Sequence, residues 1–307
     1  MTVASIDIGT NTILLLIAEV YPASDKITAL VNLHRIPRIG KGLKKGDPFP
    51  EENIKRMFDV MDEYSETIKK YNCDKIIVTG TNAFRIALNN NEIAEEIKNK
   101  YGYDLNVITG DEEAKYSYLG AVSGLSDKKK YLVIDIGGGS TEIIYGKGND
   151  IIFSKSFDIG VVSGAEKFFT IDPPSDKQID NFAVYSQKPF LELKDYVKDI
   201  DTAIAIAGTP TTLAAIKYKL KSFNEELIEG TSLTPEELNA FVSELSKLSS
   251  AEVLNKYSQI VKGREDVLLA GTILLGEILK MLNIEEVKVS TKGIRYGAIF
   301  NWLNETF

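Results

Sequence analysis

The chain has 307 residues, 44% of them hydrophobic and 26% charged, a composition that excludes disordered and fibrous classes and fits two domains of about 150 residues. Its formal charge of −8 and pI near 5.0 argue against broad binding of nucleic acid, because the summed field repels polyanions. The single Cys73 allows no internal disulfide and the single His34 builds no Cys/His metal site, so both are expected to pack, and the chain suits a reducing cytoplasm.

In chain order, the first element is Ser5-Ile6-Asp7-Ile8-Gly9-Thr10-Asn11-Thr12, an apolar strand, a tight turn and the start of a second apolar strand. Asp7 stands where a secretion signal would carry its apolar run, so export is not expected. Next, Arg35, Arg38, Lys41, Lys44 and Lys45 fall within eleven residues that contain no acid. Such a run either attracts an anionic chain near a loop or is a solvated glycine-rich turn. Residues 54–68 carry apolar side chains at helical spacing, 74–79 form a strand, 83–99 a helix and 105–108 another strand. A boundary is placed at 124–130, giving domains 1–126 and 127–307.

The second domain opens on Val133-Ile-Asp135-Ile-Gly137-Gly138-Gly139-Ser140-Thr141, which repeats the first hairpin. A second matching pair is Thr79-Gly80-Thr81 and Ala207-Gly208-Thr209, and both pairs are offset by 128 residues. Equal offsets favour an internal duplication over two turns of similar chemistry. Alternation of strands and amphipathic helices makes the class α/β. The apolar run 267–282 reads as a buried core helix, too short and too charged to span a membrane. The final segment, with a helix at about 295–307, is expected to pack back on the first domain and could close a cleft between the two.

Several side chains carry chemistry. Glycines at 137–139 tolerate positive φ and let successive N–H groups converge as an anion-binding nest. Asp135 and Glu142 flank that turn and suit Mg²⁺, which needs only one or two carboxylates; alternatively Asp135 serves its own turn and Glu142 is solvated. In Thr109-Gly-Asp111-Glu112-Glu113, Thr109 and Glu112 form a capping box and Asp111 favours the helix dipole. Glu113 is not needed for capping and is the candidate general base. Arg85 is expected at the start of a helix, where a cation is unfavourable, so it is either a phosphate ligand or a surface arginine paired with an acid.

These motifs, together with Gly263-Arg-Glu-Asp-Val-Leu and Gly293-Ile-Arg-Tyr-Gly, resemble the exopolyphosphatase and guanosine pentaphosphate phosphatase family across essentially the whole chain. The resemblance implies a duplicated actin-like ATPase (ribonuclease H-like) fold, two domains flanking a cleft, and Mg²⁺-dependent hydrolysis of terminal phosphates, with a monovalent cation such as K⁺ as a further candidate. It implies Glu113 as catalytic residue. It implies phosphate binding by Gly9, Thr10, Asn11, Thr12, Arg85, Gly137, Gly138, Gly139, Ser140, Thr141, Gly208 and Thr209. Metal binding falls to Asp135 and Glu142, with Asp7 as a third candidate. The partners implied are inorganic polyphosphate or guanosine polyphosphates and a second copy of the chain, with neither nucleic acid nor membrane. Two departures matter: Leu14 stands where many members carry Arg or Lys, which favours polyphosphate over the nucleotide, and 161–164 is less basic than its counterpart. An ATP-consuming kinase of the same fold and a non-hydrolysing sensor of guanosine tetraphosphate are the competing classes.

Overall fold

A computed structural model describes residues 1–21 and 26–306. It divides into two compact units, Met1–Gly124 with Lys292–Phe307, and Leu125–Thr291. The last segment therefore belongs with the first unit and not with the preceding 127–291.

In the first unit β1 (Thr2–Ile8), β2 (Ile13–Tyr21) and β3 (Lys26–Arg35) form an antiparallel meander. After α1 (Glu51–Lys70), β4 (Lys75–Gly80) joins β1 in parallel; α2 (Asn82–Ile86) and α3 (Asn90–Tyr101) follow, then β5 (Leu105–Val107), parallel to β4, and α4 (Gly110–Val122). The sheet order is β3-β2-β1-β4-β5. Both faces of β1 are covered, and its pleat divides them. Ala4, Ile6 and Ile8 enter a core with Met57, Met61 and Tyr64 of α1, whereas Val3 and Leu16 pack with Tyr296, Ile299 and Leu303 of the last helix. The expected helix 83–99 is two helices, because Ala87 is extended and ends the first.

The second unit repeats this plan. Its first strands are β6 (Lys130–Ile136), β7 (Thr141–Lys147) and β8 (Asp150–Phe157). The short α5 (Val161–Phe168), α6 (Asp176–Gln187) and α7 (Leu193–Tyr196) lead to β9 (Thr202–Ile206) and α8 (Gly208–Lys217). Then come α9 (Glu225–Ile228), β10 (Ser232–Leu233), α10 (Pro235–Leu245), α11 (Ser250–Tyr257), α12 (Leu268–Met281), β11 (Val287–Val289) and α13 (Ile294–Thr306). Read from β8, the order β8-β7-β6-β9-β11 matches the first sheet strand for strand, with the same parallel and antiparallel senses; β10 is an added edge. The duplication expected from the 128-residue offset is thus a duplication of topology. As expected, α12 is a core helix, with Leu274, Leu275, Ile278 and Leu279 fully buried. No helix among the described residues is long and apolar enough to cross a membrane.

Helix α13 follows β11 as α4 follows β5, and the two helices pack on each other at contact distance of their backbones. A Cβ on Gly120 of α4 would collide with the carbonyl of Gly293, and one on Gly297 with the carbonyl of Tyr116. Arg295, buried between these glycines, donates to the Leu15 carbonyl at 3.3 Å and to Asn32 Oδ1. The Gly293-Ile-Arg-Tyr-Gly motif therefore serves helix packing in the first unit.

Candidate active site

In the first unit the β1–β2 turn is closed by Gly9 N–H donating to the Thr12 carbonyl at 3.0 Å, and in the second the β6–β7 turn is closed by Gly137 N–H donating to the Ser140 carbonyl at 2.9 Å. The next segment holds the turn's carbonyls in both cases. Gly40 N–H and Arg38 N–H donate to Thr10 and Asn11 oxygens (2.8 and 3.1 Å), while Val161 N–H and Val162 N–H donate to Gly137 and Gly138 oxygens (3.0 and 2.8 Å). The N–H groups of Thr10, Asn11, Gly138 and Gly139 donate to no backbone acceptor among the described residues, the property a phosphate loop requires. The reason for glycine differs from the expected one. None of Gly9, Gly137, Gly138 or Gly139 has a positive φ; at Gly9 and Gly137 crowding selects glycine, since a Cβ there would press on the Thr12 or Ser140 oxygen at 3.1 Å. Gly160 is tighter still, its Cβ position lying 2.5 Å from the Gly138 oxygen.

Glu113 sits in the first turn of α4, and the capping box drawn from sequence is present in both directions: Glu112 N–H donates to Thr109 Oγ1 at 3.2 Å and Thr109 N–H to Glu112 Oε2 at 2.8 Å. That occupation of Glu112 leaves Glu113 to face inward, where it is buried. Arg85 Nη1 donates to Glu113 Oε2 at 2.5 Å and to the Ile108 carbonyl at 3.1 Å. Of the two readings of Arg85, the structure shows the pairing with an acid, and that acid is the candidate base. The arginine lies at the end of its helix and not at the expected start, because α2 has only five residues and Arg85 falls in the last turn, where a cation suits the dipole.

In the second unit Asp135 of β6 and Glu142 of β7 are direct partners in the antiparallel register. Their side chains share a face, with Cβ atoms about 4.5–5.5 Å apart, and both residues are buried. Glu142 Oε1 also accepts from Ser156 Oγ of β8 at 2.6 Å. Two buried carboxylates side by side repel unless protons, donors or a cation offset them. No group of three or more His, Cys, Asp or Glu among the described residues could hold a metal by itself. This donor set fits Mg²⁺, which takes one or two hard carboxylate oxygens and completes its shell with water and phosphate oxygens. The first unit has no equivalent pair. Asp7 is in register with Leu14, and Leu14 in turn with His34, so Leu14 occupies the place of Glu142. His34, expected to pack, is only half-buried on that line.

Gly208 and Thr209 open α8, whose N-cap Ala207 has φ 74°, a strained value for a residue with a side chain. The guanidinium of Arg264 lies over Gly208: a Cβ there would be 2.5 Å from Nε and 2.7 Å from Cζ. Arg264 stands in the Gly263-Arg-Glu-Asp-Val-Leu motif, where nothing local explains a cation. The structure places its cation at a helix N-terminus, a position the dipole disfavours and an anion would compensate.

Residues 16–306 match the Ppx/GppA phosphatase family. The chain is 33% identical over 310 residues to a bifunctional 3-dehydroquinate synthase/phosphatase of Fusobacterium nucleatum, covering 96% of this chain but 46% of that protein. It is 27% identical to a putative exopolyphosphatase of Haemophilus influenzae, covering 97% of this chain and 90% of the relative. The crystal structure of the Aquifex aeolicus Ppx/GppA family member superposes with a TM-score of 0.85 at 30% identity, over 100% of this chain and 99% of that one.

Proposed function

The chain belongs to the Ppx/GppA phosphatase family, and from that premise we propose that it is an exopolyphosphatase, a Mg²⁺-dependent hydrolase removing the terminal phosphate of inorganic polyphosphate. In this reading Glu113 takes a proton from water as the water oxygen attacks the terminal phosphorus. The bond to the bridging oxygen breaks, and the shortened chain leaves with the electron pair. Arg85 fixes the Glu113 carboxylate and is at hand for a phosphate oxygen, and hairpin N–H groups take up charge on the equatorial oxygens. Asp135 and Glu142 would hold Mg²⁺, which when bound supplies neutralisation of the phosphate charge. Asp7 and a monovalent cation such as K⁺ stay with the same proposal as secondary parts. The acidic surface and lone cysteine support assignment to the cytoplasm without a nucleic-acid partner, and the family resemblance supports a homodimer.

The observation that favours polyphosphate over guanosine pentaphosphate is Leu14. It lies across β1–β2 from Asp7 and, being apolar, offers an anionic nucleotide no charged contact. The test is phosphate release with Mg²⁺ from long-chain polyphosphate and from guanosine pentaphosphate. Release from polyphosphate with the lower KM is expected; release from the nucleotide alone would install the stringent-response phosphatase instead, and tight nucleotide binding without release a sensor. Leu14→Arg is expected to lower the KM for guanosine pentaphosphate about tenfold, the value of one charge-assisted contact of about 1.4 kcal/mol. Glu142→Gln is expected to weaken Mg²⁺ binding at least about tenfold by calorimetry, since it removes one of two ligating charges; unchanged Mg²⁺ affinity would remove Glu142 from the metal site.

A further inference from the structure

We propose that the segment after β3, from Arg38 to Lys45, is a docking segment for the non-reacting phosphates of a linear polyanion, tied mechanically to the first phosphate loop. The inference rests on the polyphosphate reading and names a subsite for it.

The segment is held in place from two sides. On one side Arg38 N–H and Gly40 N–H donate to Asn11 and Thr10 of the β1–β2 turn, and Gly40 has no room for a Cβ against Thr10. On the other, buried Asn53 of α1 donates through Nδ2 to the Ile39 and Lys41 carbonyls at 2.8 and 3.1 Å, and Arg56 Nε donates to the Pro37 carbonyl at 2.7 Å. Ile39 is itself 1% exposed and belongs to the core under α1. The backbone is thus fixed as far as Lys41, and Lys44 and Lys45 follow in a solvent-facing turn closed by Asp47 N–H donating to the Lys44 carbonyl at 3.0 Å.

Its charges point the other way. Lys41, Lys44 and Lys45 are exposed, and none forms an ion pair among the described residues. Arg35, the first cation of the run, is spent on Glu63. Counter-charges on the neighbouring stretch are Asp47, Glu51 and Glu52, and Glu52 is engaged by Arg56 at 2.9 Å. Three uncommitted ammonium groups on a segment bonded to the turn that would grip the terminal phosphates give an anionic chain a continuation in a protein of formal charge −8, where the overall field repels it. A long chain, once its terminal phosphate lies in the turn, has more phosphates left over for them than a short anion has.

The experiment uses the full chain carrying Glu113→Gln, so that substrate is not consumed, with and without Lys41→Gln, Lys44→Gln and Lys45→Gln together. Calorimetric titration of long-chain polyphosphate is expected to show about tenfold weaker binding in the triple variant and a shallower dependence on salt, while tripolyphosphate changes by less than about twofold. Replacing the three lysines by arginine should restore long-chain affinity. Unchanged affinity for the long chain, or equal weakening for both ligands, overturns the proposal. If the native protein releases no phosphate from any polyphosphate, the proposed function fails, while the ratio of the two affinities still decides the docking segment.

Discussion

Glu113→Gln is expected to lower kcat for phosphate release by about 10²–10⁴-fold, the range for loss of a positioned general base, with KM within about threefold of the native value. The side chain is nearly isosteric and keeps an oxygen to accept from Arg85 Nη1, so the geometry of the pair survives and the proton acceptor does not. The split between kcat and KM carries the assignment. If Glu113 only anchored Arg85 for phosphate binding, the variant would raise KM and leave kcat near native. Native turnover in the variant would move the base elsewhere in the molecule.

Gly297→Ala is expected to destabilise the first unit by about 2–3 kcal/mol, the upper range for overpacking, and to lower its melting temperature by about 4–12 °C at about 2–4 °C per kcal/mol. Alanine is normally the better helix former by about 1 kcal/mol, so the sign is decided by space. The new methyl would meet the backbone oxygen and carbon of Tyr116, atoms of α4 that cannot swing aside as a side chain does. Gly276→Ala in α12 is the matching control, because its Cβ would meet only Leu238 Cβ at 4.0 Å; it should be neutral or stabilising by up to about 1 kcal/mol. Differential scanning calorimetry on both variants checks the pair, and a neutral Gly297→Ala would remove the close α4–α13 approach from the stability of the unit.

In the α13 motif, residue identity and role come apart. Gly293 and Gly297 carried part of the family resemblance, yet nothing in the string says whether a glycine faces a phosphate or a neighbouring helix. Arg295 reads like a ligand and is committed to Leu15 and Asn32, some 260–280 residues away in sequence. Arg264 is the reverse case: it sits in the same kind of motif and proves to lie over Gly208, at the end of a helix where an anion is favoured. The signal that could have found it was the unexplained cation within an ordered motif.

What sequence by itself determined was whatever closes within a few residues or repeats along the chain. The capping box at Thr109 and Glu112, the two four-residue turns, the register of Asp135 with Glu142 across a short hairpin and the duplicated α/β plan all follow from local hydrogen bonding and side-chain periodicity. Tertiary structure alone decided which distant groups meet: Arg85 on Glu113, Gly40 on Thr10, Arg264 on Gly208, and α13 on α4. Those contacts join residues separated by many turns of chain, and their geometry is set by how sheets and helices pack, which no local preference encodes.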